Sequence, residues 1–270
     1  MIKQAVKSTL LAVAPRLFRE ISAYRSQKLI ISLETRRGLV AQSNNFIAIH
    51  GDRVLGGPFK GMKYPEFTRC RNLIMKLLGC YETEIHGMVE DAIKAGYSTV
   101  VNVGSADGYY TVGLALRLPN TPVIAFDTDP WARKATQLLV DENRAANVEI
   151  RTMCTVEWVE RALPRNSLLL VDTEGFEDVL LDPVKAPNLL LSDIIVETHE
   201  MFVRDIEKAL IERFSPTHDI RIERSGTRDP ADYPELSAIP PEFAAAVIFE
   251  GRPCQQSWLY MTRKAGAGKA

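Results

Sequence analysis

Hydrophobic and polar positions along this chain alternate between short apolar runs and longer amphipathic stretches. Near the start, Val6, Leu10, Val13, Leu17, Ile21 and Tyr24 recur at three- and four-residue steps, which predicts an amphipathic helix. Residues 40–70 show no such period and are punctuated by Gly51, Gly56, Gly57, Pro58, Gly61 and Pro65, so an irregular stretch is expected. From Cys80 to Ala95, Ile85, Met88, Val89, Ala92 and Ile93 mark one helical face, with Gly96 as its stop. Thr99 to Val103 then reads as a buried strand ending at Gly104. Tyr109 to Leu118 reads as a helix closed by Pro119, and 122–126 as the second strand. Asp129-Pro130 is an N-cap followed by proline at the first helical position, opening a helix that runs to about Ala146. Further strands are expected at 148–153, 168–171 and 194–196, followed by a helix over 205–214. The end of the chain reads as strands at 220–223, 245–249 and 258–262, the last two an antiparallel pair, with a frayed tail at 265–270.

Strands alternating with helices over 97–215 imply right-handed crossovers and a largely parallel sheet. The unbroken apolar run at 168–171 fits a sheet covered on both faces. The expected fold class is α/β: a doubly wound, Rossmann-like, mostly parallel seven-stranded sheet with helices on both faces and an N-terminal helical extension. The expected division is a helical extension and irregular leader over 1–95, the sheet domain over 96–264 and the tail over 265–270.

Composition narrows the class without changing that picture. Of 270 residues, 46% are hydrophobic and 25% charged, which excludes a disordered, collagenous or coiled-coil chain. Lys plus Arg number 33 against 34 acids, so no global field recruits nucleic acid. Basic residues also form no stripe interleaved with aromatics, and nucleic acid is not an expected partner. Cys70, Cys80, Cys154 and Cys254 are scattered without metal spacing, as expected of reduced thiols in a cytoplasmic protein. No apolar run approaches the ~20 residues that would span a bilayer. Residues 1–30 carry Lys3, Lys7, Arg16, Arg19, Arg25 and Lys28 against the single acid Glu20. Packing on the body of the protein is favoured there over peripheral membrane contact. A secretory signal is not expected, because the stretch Leu10 to Ala14 is short and Arg16 and Arg19 interrupt it.

In an open parallel sheet, ligands collect outside the carboxyl ends of the strands where the strand order reverses. The exit of the first strand reads Asn102-Val-Gly104-Ser-Ala-Asp107-Gly108. Gly104 lets the backbone pass close beneath a ligand, and Gly108 opens a helix whose free N–H groups favour an anion. The pattern is Gly-x-x-x-Gly, so the dinucleotide fingerprint is not met. Asp127, at the end of the second strand, can accept both hydroxyls of a ribose. Together these point to an adenosine-containing cofactor.

The segments VVNVGSADGYYTVGLA, VIAFDTDP and LLLVDTEGFEDVLL resemble the class I S-adenosylmethionine-dependent methyltransferases, specifically the FkbM-like group, over roughly residues 97–200. The upstream GGPFKGMKYP and KLLGCYETEIH are similar to a leader of bacterial relatives. The resemblance implies S-adenosylmethionine as cofactor, Gly104 and Gly108 as its loop, Asp127 as ribose acceptor, and Asp172, Glu174 and Glu177 as motif positions. The chain departs from that class at Asn102, where an acid is usual. Asp107 is the candidate substitute, with an N-cap as its other reading.

Asp172 and Glu174 leave the fourth strand, and Glu197 and His199 the fifth, each an i, i+2 pair that projects to one side if strand geometry persists. Methyl transfer from a sulfonium asks for positioning, plus a base where the acceptor is a hydroxyl. His199 is the candidate base, with Glu197 orienting it or Glu174 holding the acceptor. Asp172, Glu174, Glu197 and His199 could instead hold Mg²⁺, Mn²⁺ or Ca²⁺, a less favoured use. Glu177 and Asp178 also read as acids opening a helix, Tyr109 and Tyr110 as core, and Arg252 as an ion-pair partner of Glu250 or an anion binder. The expected activity is O-methylation of a small-molecule or glycan hydroxyl. A binding or scaffold protein docking through residues 1–30, and a nicotinamide-dependent oxidoreductase, are the alternatives.

Overall fold

The computed structural model describes Leu29 and residues 32–65 and 72–265. The amphipathic segment expected over residues 1–30 lies, apart from Leu29, outside the described residues, as do Cys70 and most of the tail. Seven strands, β1 (Thr99–Val103), β2 (Val123–Phe126), β3 (Val148–Arg151), β4 (Ser167–Val171), β5 (Asp193–Thr198), β6 (His218–Arg224) and β7 (Ser257–Arg263), form one sheet. Their order is β3-β2-β1-β4-β5-β7-β6. β1 to β5 are parallel. β7 runs antiparallel between β5 and β6. The doubly wound, Rossmann-like class is therefore the observed one, and the order reverses between β1 and β4.

Alternation within strands builds a core on each face. Val100, Leu168, Leu170, Ile195 and Trp258 pack on one side with Phe46, Met75 and Leu77 of the leader. Val101, Val103, Leu169, Val171 and Val196 pack on the other with Phe214. All five residues of β4 are buried. Burying each such aliphatic side chain is worth about 1.5–3 kcal/mol, which holds the strand exits at fixed heights for the site.

Three sequence expectations need correction. The stretch expected to be irregular over 40–70 opens on a helix, α1 (Leu39–His50), and a helix the sequence did not predict, α2 (Leu73–Leu78), follows it. Gly38 and Gly51, both with positive φ, bound α1, and distant carbonyls fix it. Asn45 donates to the Ala238 carbonyl, and the His50 ring bonds that of Glu235. The helix expected from Cys80 begins only at His86, as α3 (His86–Ala95), after Glu82 adopts a left-handed conformation and Thr83–Ile85 forms a 3₁₀ turn. The strand expected at 245–249 is instead the end of a helix, Pro241–Val247. Pro241 at its first position and Glu242 in its first turn favour the helix, and a short apolar run alone does not separate the two states. The antiparallel partners of β7 are accordingly β5 and β6. Among the described residues no helix is long and apolar enough to cross a membrane.

After β1 come α4 (Tyr109–Arg117) and α5 (Pro130–Asn143). Asp129 caps α5, its carboxylate accepting from the Trp131 N–H at 2.8 Å, as the sequence predicts. A helix the sequence reading missed, α6 (Val156–Ala162), is capped by Thr155. The tightest constraint lies at the switch point. Gly104 has φ +85°, and a Cβ built there would sit 1.7 Å from the Asp172 carbonyl oxygen. Gly96 shares a positive φ, with open space around it. Gly96→Ala should therefore cost about 1–2 kcal/mol from backbone strain alone, whereas Gly104→Ala should cost about 3–5 kcal/mol. Urea denaturation of the two variants checks the difference.

Candidate active site

The loop after β1 turns back on itself through left-handed residues at Gly104, Ala106 and Gly108. Its N–H groups at Gly104 and Ser105 both donate to the Phe126 carbonyl, and that of Ala106 donates to the Asp127 carboxylate at 2.8 Å. The other Asp127 oxygen accepts from the Asp129 N–H at 2.8 Å. Asp127 is thus oriented by backbone donors, and burial pushes its pKa up despite them. It opens onto a cavity of about 390 Å³, whose walls include Val103, Phe126, Met153 and Phe176. Apolar walls beside one oriented carboxylate fit a nucleoside, whose base needs burial and whose ribose needs an acceptor.

Two residues assigned to the cofactor from sequence stand elsewhere. Asn102, 1% exposed, turns beneath the loop and donates to the Thr111 hydroxyl at 2.9 Å. Its Oδ1 is buried and has no hydrogen-bond partner among the described residues. The Asp107 carboxylate accepts from Lys76 Nζ at 2.7 and 2.8 Å and from the Tyr64 hydroxyl. It does not cap α4, whose N-cap is Gly108 without a side-chain bond. Lys76 also lies over the Tyr81 ring, 4.8 Å from its centroid, so leader and loop are clipped together. Tyr109 and Tyr110 join the same aromatic cluster as core residues.

The exits of β4 and β5 build the chemical centre. Strand geometry ends at Val171, and Glu174 and Gly175 both take positive φ, so the Asp172/Glu174 pair converges through a turn and not through a continued strand. The turn is held by Glu177, fully buried at the start of α7 (Glu177–Leu180). Its carboxylate accepts from the Thr173 N–H at 3.0 Å, the Thr173 hydroxyl at 2.9 Å and the Gly175 N–H at 3.0 Å. The His199 Nδ1 lies 3.0 Å from the same carboxylate. That bond fixes the tautomer of the neutral ring, with the proton on Nδ1 and a lone pair on Nε2.

His199 is 1% exposed, and its Nε2 stands 3.5 Å from Asp172, 3.8 Å from Glu174 and 3.8 Å from Glu197. Burial pulls the imidazole pKa down, but the bond to Glu177 and the Asp172 carboxylate outweigh it, and the pKa lies above 6.5. Asp172 is pushed up to about 7, first by burial and then by the Glu82 carboxylate. Asp172 and Glu174 also line a second cavity of about 300 Å³ with Glu82, Glu197, His199 and Arg252. The two cavities therefore share one wall.

Of the four predicted chemical residues, Asp172, Glu174 and His199 come together, with ligand-type atoms within 4.8 Å of one another. Glu197 faces the same cavity but does not orient His199, because Arg252 holds its carboxylate. Arg252 also bonds Glu250 at 2.6 Å and Glu82 at 2.7 Å, so the expected Glu250 pair exists and the Arg252 guanidinium is taken up by acids. Burial and then Glu82 push Glu250 up to about 7. The sequence reading missed Glu82, which the leader delivers, and it left the Glu177 carboxylate without its partner. Only the third acid of D-x-E-G-x-E marked Glu177 in advance. His218, whose Nε2 bonds the Ser192 carbonyl at 2.9 Å, is structural. Cys80 and Cys154 are buried free thiols, and Cys254 is free and exposed.

No protein-family model matches the chain, and no curated protein does either. Solved structures of similar fold include the O-methyltransferase TomG of Streptomyces achromogenes in complex with SAM, at TM-score 0.46 and 12% identity over 74% of this chain and 92% of that one. A precorrin-6y C5,15-methyltransferase of Geobacter metallireducens GS-15 matches at TM-score 0.42 and 10% identity, over 65% and 85% of the two chains. An rRNA methylase of Streptococcus thermophilus matches at TM-score 0.44 and 10% identity, over 67% and 97%.

Replacing Glu177 by Gln weakens the anchor of the imidazole while keeping its size. Ring-proton NMR over a pH series should show His199 titrating above 6.5 in the native protein and clearly lower in Glu177→Gln. Unchanged titration would remove Glu177 as the cause.

Proposed function

We propose that the chain is an S-adenosylmethionine-dependent methyltransferase of the FkbM-like kind, acting on a hydroxyl of a small molecule or glycan. The observation that carries this reading is the shared wall. A nucleoside-sized cavity with an oriented acid and a polar cavity with a histidine meet at Asp172 and Glu174. When bound, S-adenosylmethionine supplies a methyl group already activated on a sulfonium. Asp127 would accept the ribose hydroxyls, and the N–H groups opening α4 would favour the carboxylate end. Asp172 and Glu174 lie where their negative charge favours a sulfonium. His199 accepts the acceptor's hydroxyl proton at Nε2, while Glu177 holds the ring and stabilises the imidazolium.

A second reading uses the same three residues for a divalent cation, favoured by the close spacing of Asp172, Glu174 and His199. Activity that survives EDTA would remove it.

Asp127→Ala should weaken S-adenosylmethionine binding by about 1–3 kcal/mol in calorimetry. His199→Ala should leave that binding unchanged and lower turnover by about 10²–10⁴-fold. Binding of reduced nicotinamide cofactor in place of S-adenosylmethionine would overturn the proposal, and full activity of His199→Ala would overturn the base.

A further inference from the structure

The second cavity carries a charge pattern that selects its occupant. Five acidic side chains face it, from Glu82, Asp172, Glu174, Glu197 and Glu250, against one guanidinium and one imidazole; burial keeps Asp172 and Glu250 partly protonated near neutrality, and Arg228 also pairs with Glu250. The guanidinium of Arg252 is already divided among Glu82, Glu197 and Glu250. Asp172 and Glu174 have only the His199 ring as an ion partner among the described residues. Even a sulfonium in the neighbouring cavity adds a single positive charge, so the space stays short of cations.

Two further observations point to a ligand with proton donors. His199, 1% exposed, aims into this cluster an Nε2 that makes no hydrogen bond with any described residue. Asp172 Oδ1 and Asn72 Oδ1, both from residues lining the cavity, are buried and equally without a hydrogen-bond partner among the described residues. Buried acceptors left this way cost free energy that a ligand N–H or O–H recovers. The half-exposed Phe202 ring supplies an aromatic face suited to a cation. The volume of about 300 Å³ suits a molecule the size of a single sugar ring.

We infer that the acceptor is a hydroxylated amine, bound with its ammonium at Asp172 and Glu174 and its hydroxyl at His199 Nε2. An anionic acceptor, whether a phosphate, a uronate or a hydroxy acid, is disfavoured because no unspent guanidinium receives it and the carboxylates repel it. This inference rests on the methyl-transfer reading for the role of the bound molecule.

Three ring-matched probes test it: glucosamine, glucose and glucuronate, titrated calorimetrically into the full-length protein with and without saturating S-adenosylhomocysteine. Glucosamine should bind at least about tenfold more tightly than glucose, an advantage that falls with added salt, and glucuronate should not bind. Glu174→Gln should erase most of that advantage while leaving the weaker binding of glucose in place. Equal behaviour of the three probes, or tightest binding of glucuronate, overturns the inference alone. Loss of the glucosamine advantage at equimolar Mg²⁺ also overturns it, in favour of a metal centre. Failure of S-adenosylhomocysteine to bind overturns the methyl-transfer reading and the acceptor role with it.

Discussion

The approach of Gly104 to the Asp172 carbonyl is the constraint on which the rest of the molecule depends. β1 and β4 are neighbours in the sheet, and the chain leaves both at the same height. With no side chain at Gly104, the loop after β1 lies directly against the turn after β4. That contact brings the Asp127 cavity and the His199 cavity to a common wall. The proposed methyl transfer requires this adjacency, because reacting atoms must be held at contact distance before any chemistry begins.

Around that contact, buried charge is arranged in two separate ways. Glu177 is a carboxylate satisfied on all sides by Thr173, Gly175 and His199. Burial pushes its pKa up, but these bonds outweigh it and hold the carboxyl below its ordinary value. Its stabilising effect is present above pH 4.5 and fades as pH falls through its folded value. His199 acts in the opposite direction. Its folded value is raised, so its stabilisation is complete below pH 6.5 and is lost as pH rises through the folded value. Asp172 follows the same sign, with a window between 3.8 and about 7. The centre is thus most stable in mildly acidic solution, while a neutral Nε2 becomes available only as pH rises. Stability and proton acceptance pull against each other at one imidazole.

The Arg252 network serves a different purpose. Buried ion pairs gain little net stability because desolvation offsets attraction, yet removing one partner leaves a costly unpaired charge. Arg252 ties Glu82 of the leader to Glu197 of β5 and to Glu250 ahead of β7. The Lys76–Asp107 pair does the same between the leader and the loop after β1. The leader is thereby a structural part of the site, and its Phe46, Met75 and Leu77 share one core with the sheet.

What the sequence determined by itself was the local and periodic information. Strand and helix alternation, the Asp129 cap, the glycine loop and the strand-end positions of Asp127, Asp172, Glu174 and His199 all follow from spacing, because each depends on a few adjacent residues. What tertiary structure decided was the identity of partners. That Glu177 and not Glu197 anchors His199 depends on two positive-φ residues in one turn. That Asp107 meets Lys76, and that Arg252 is spent on three acids, depends on where the leader folds. The run at 241–247 is a helix, and β7 pairs with β5 and β6 in place of it. Hydrogen-bond partners far apart in sequence are set by strand order and loop dihedrals, and neither leaves a periodic mark along the chain.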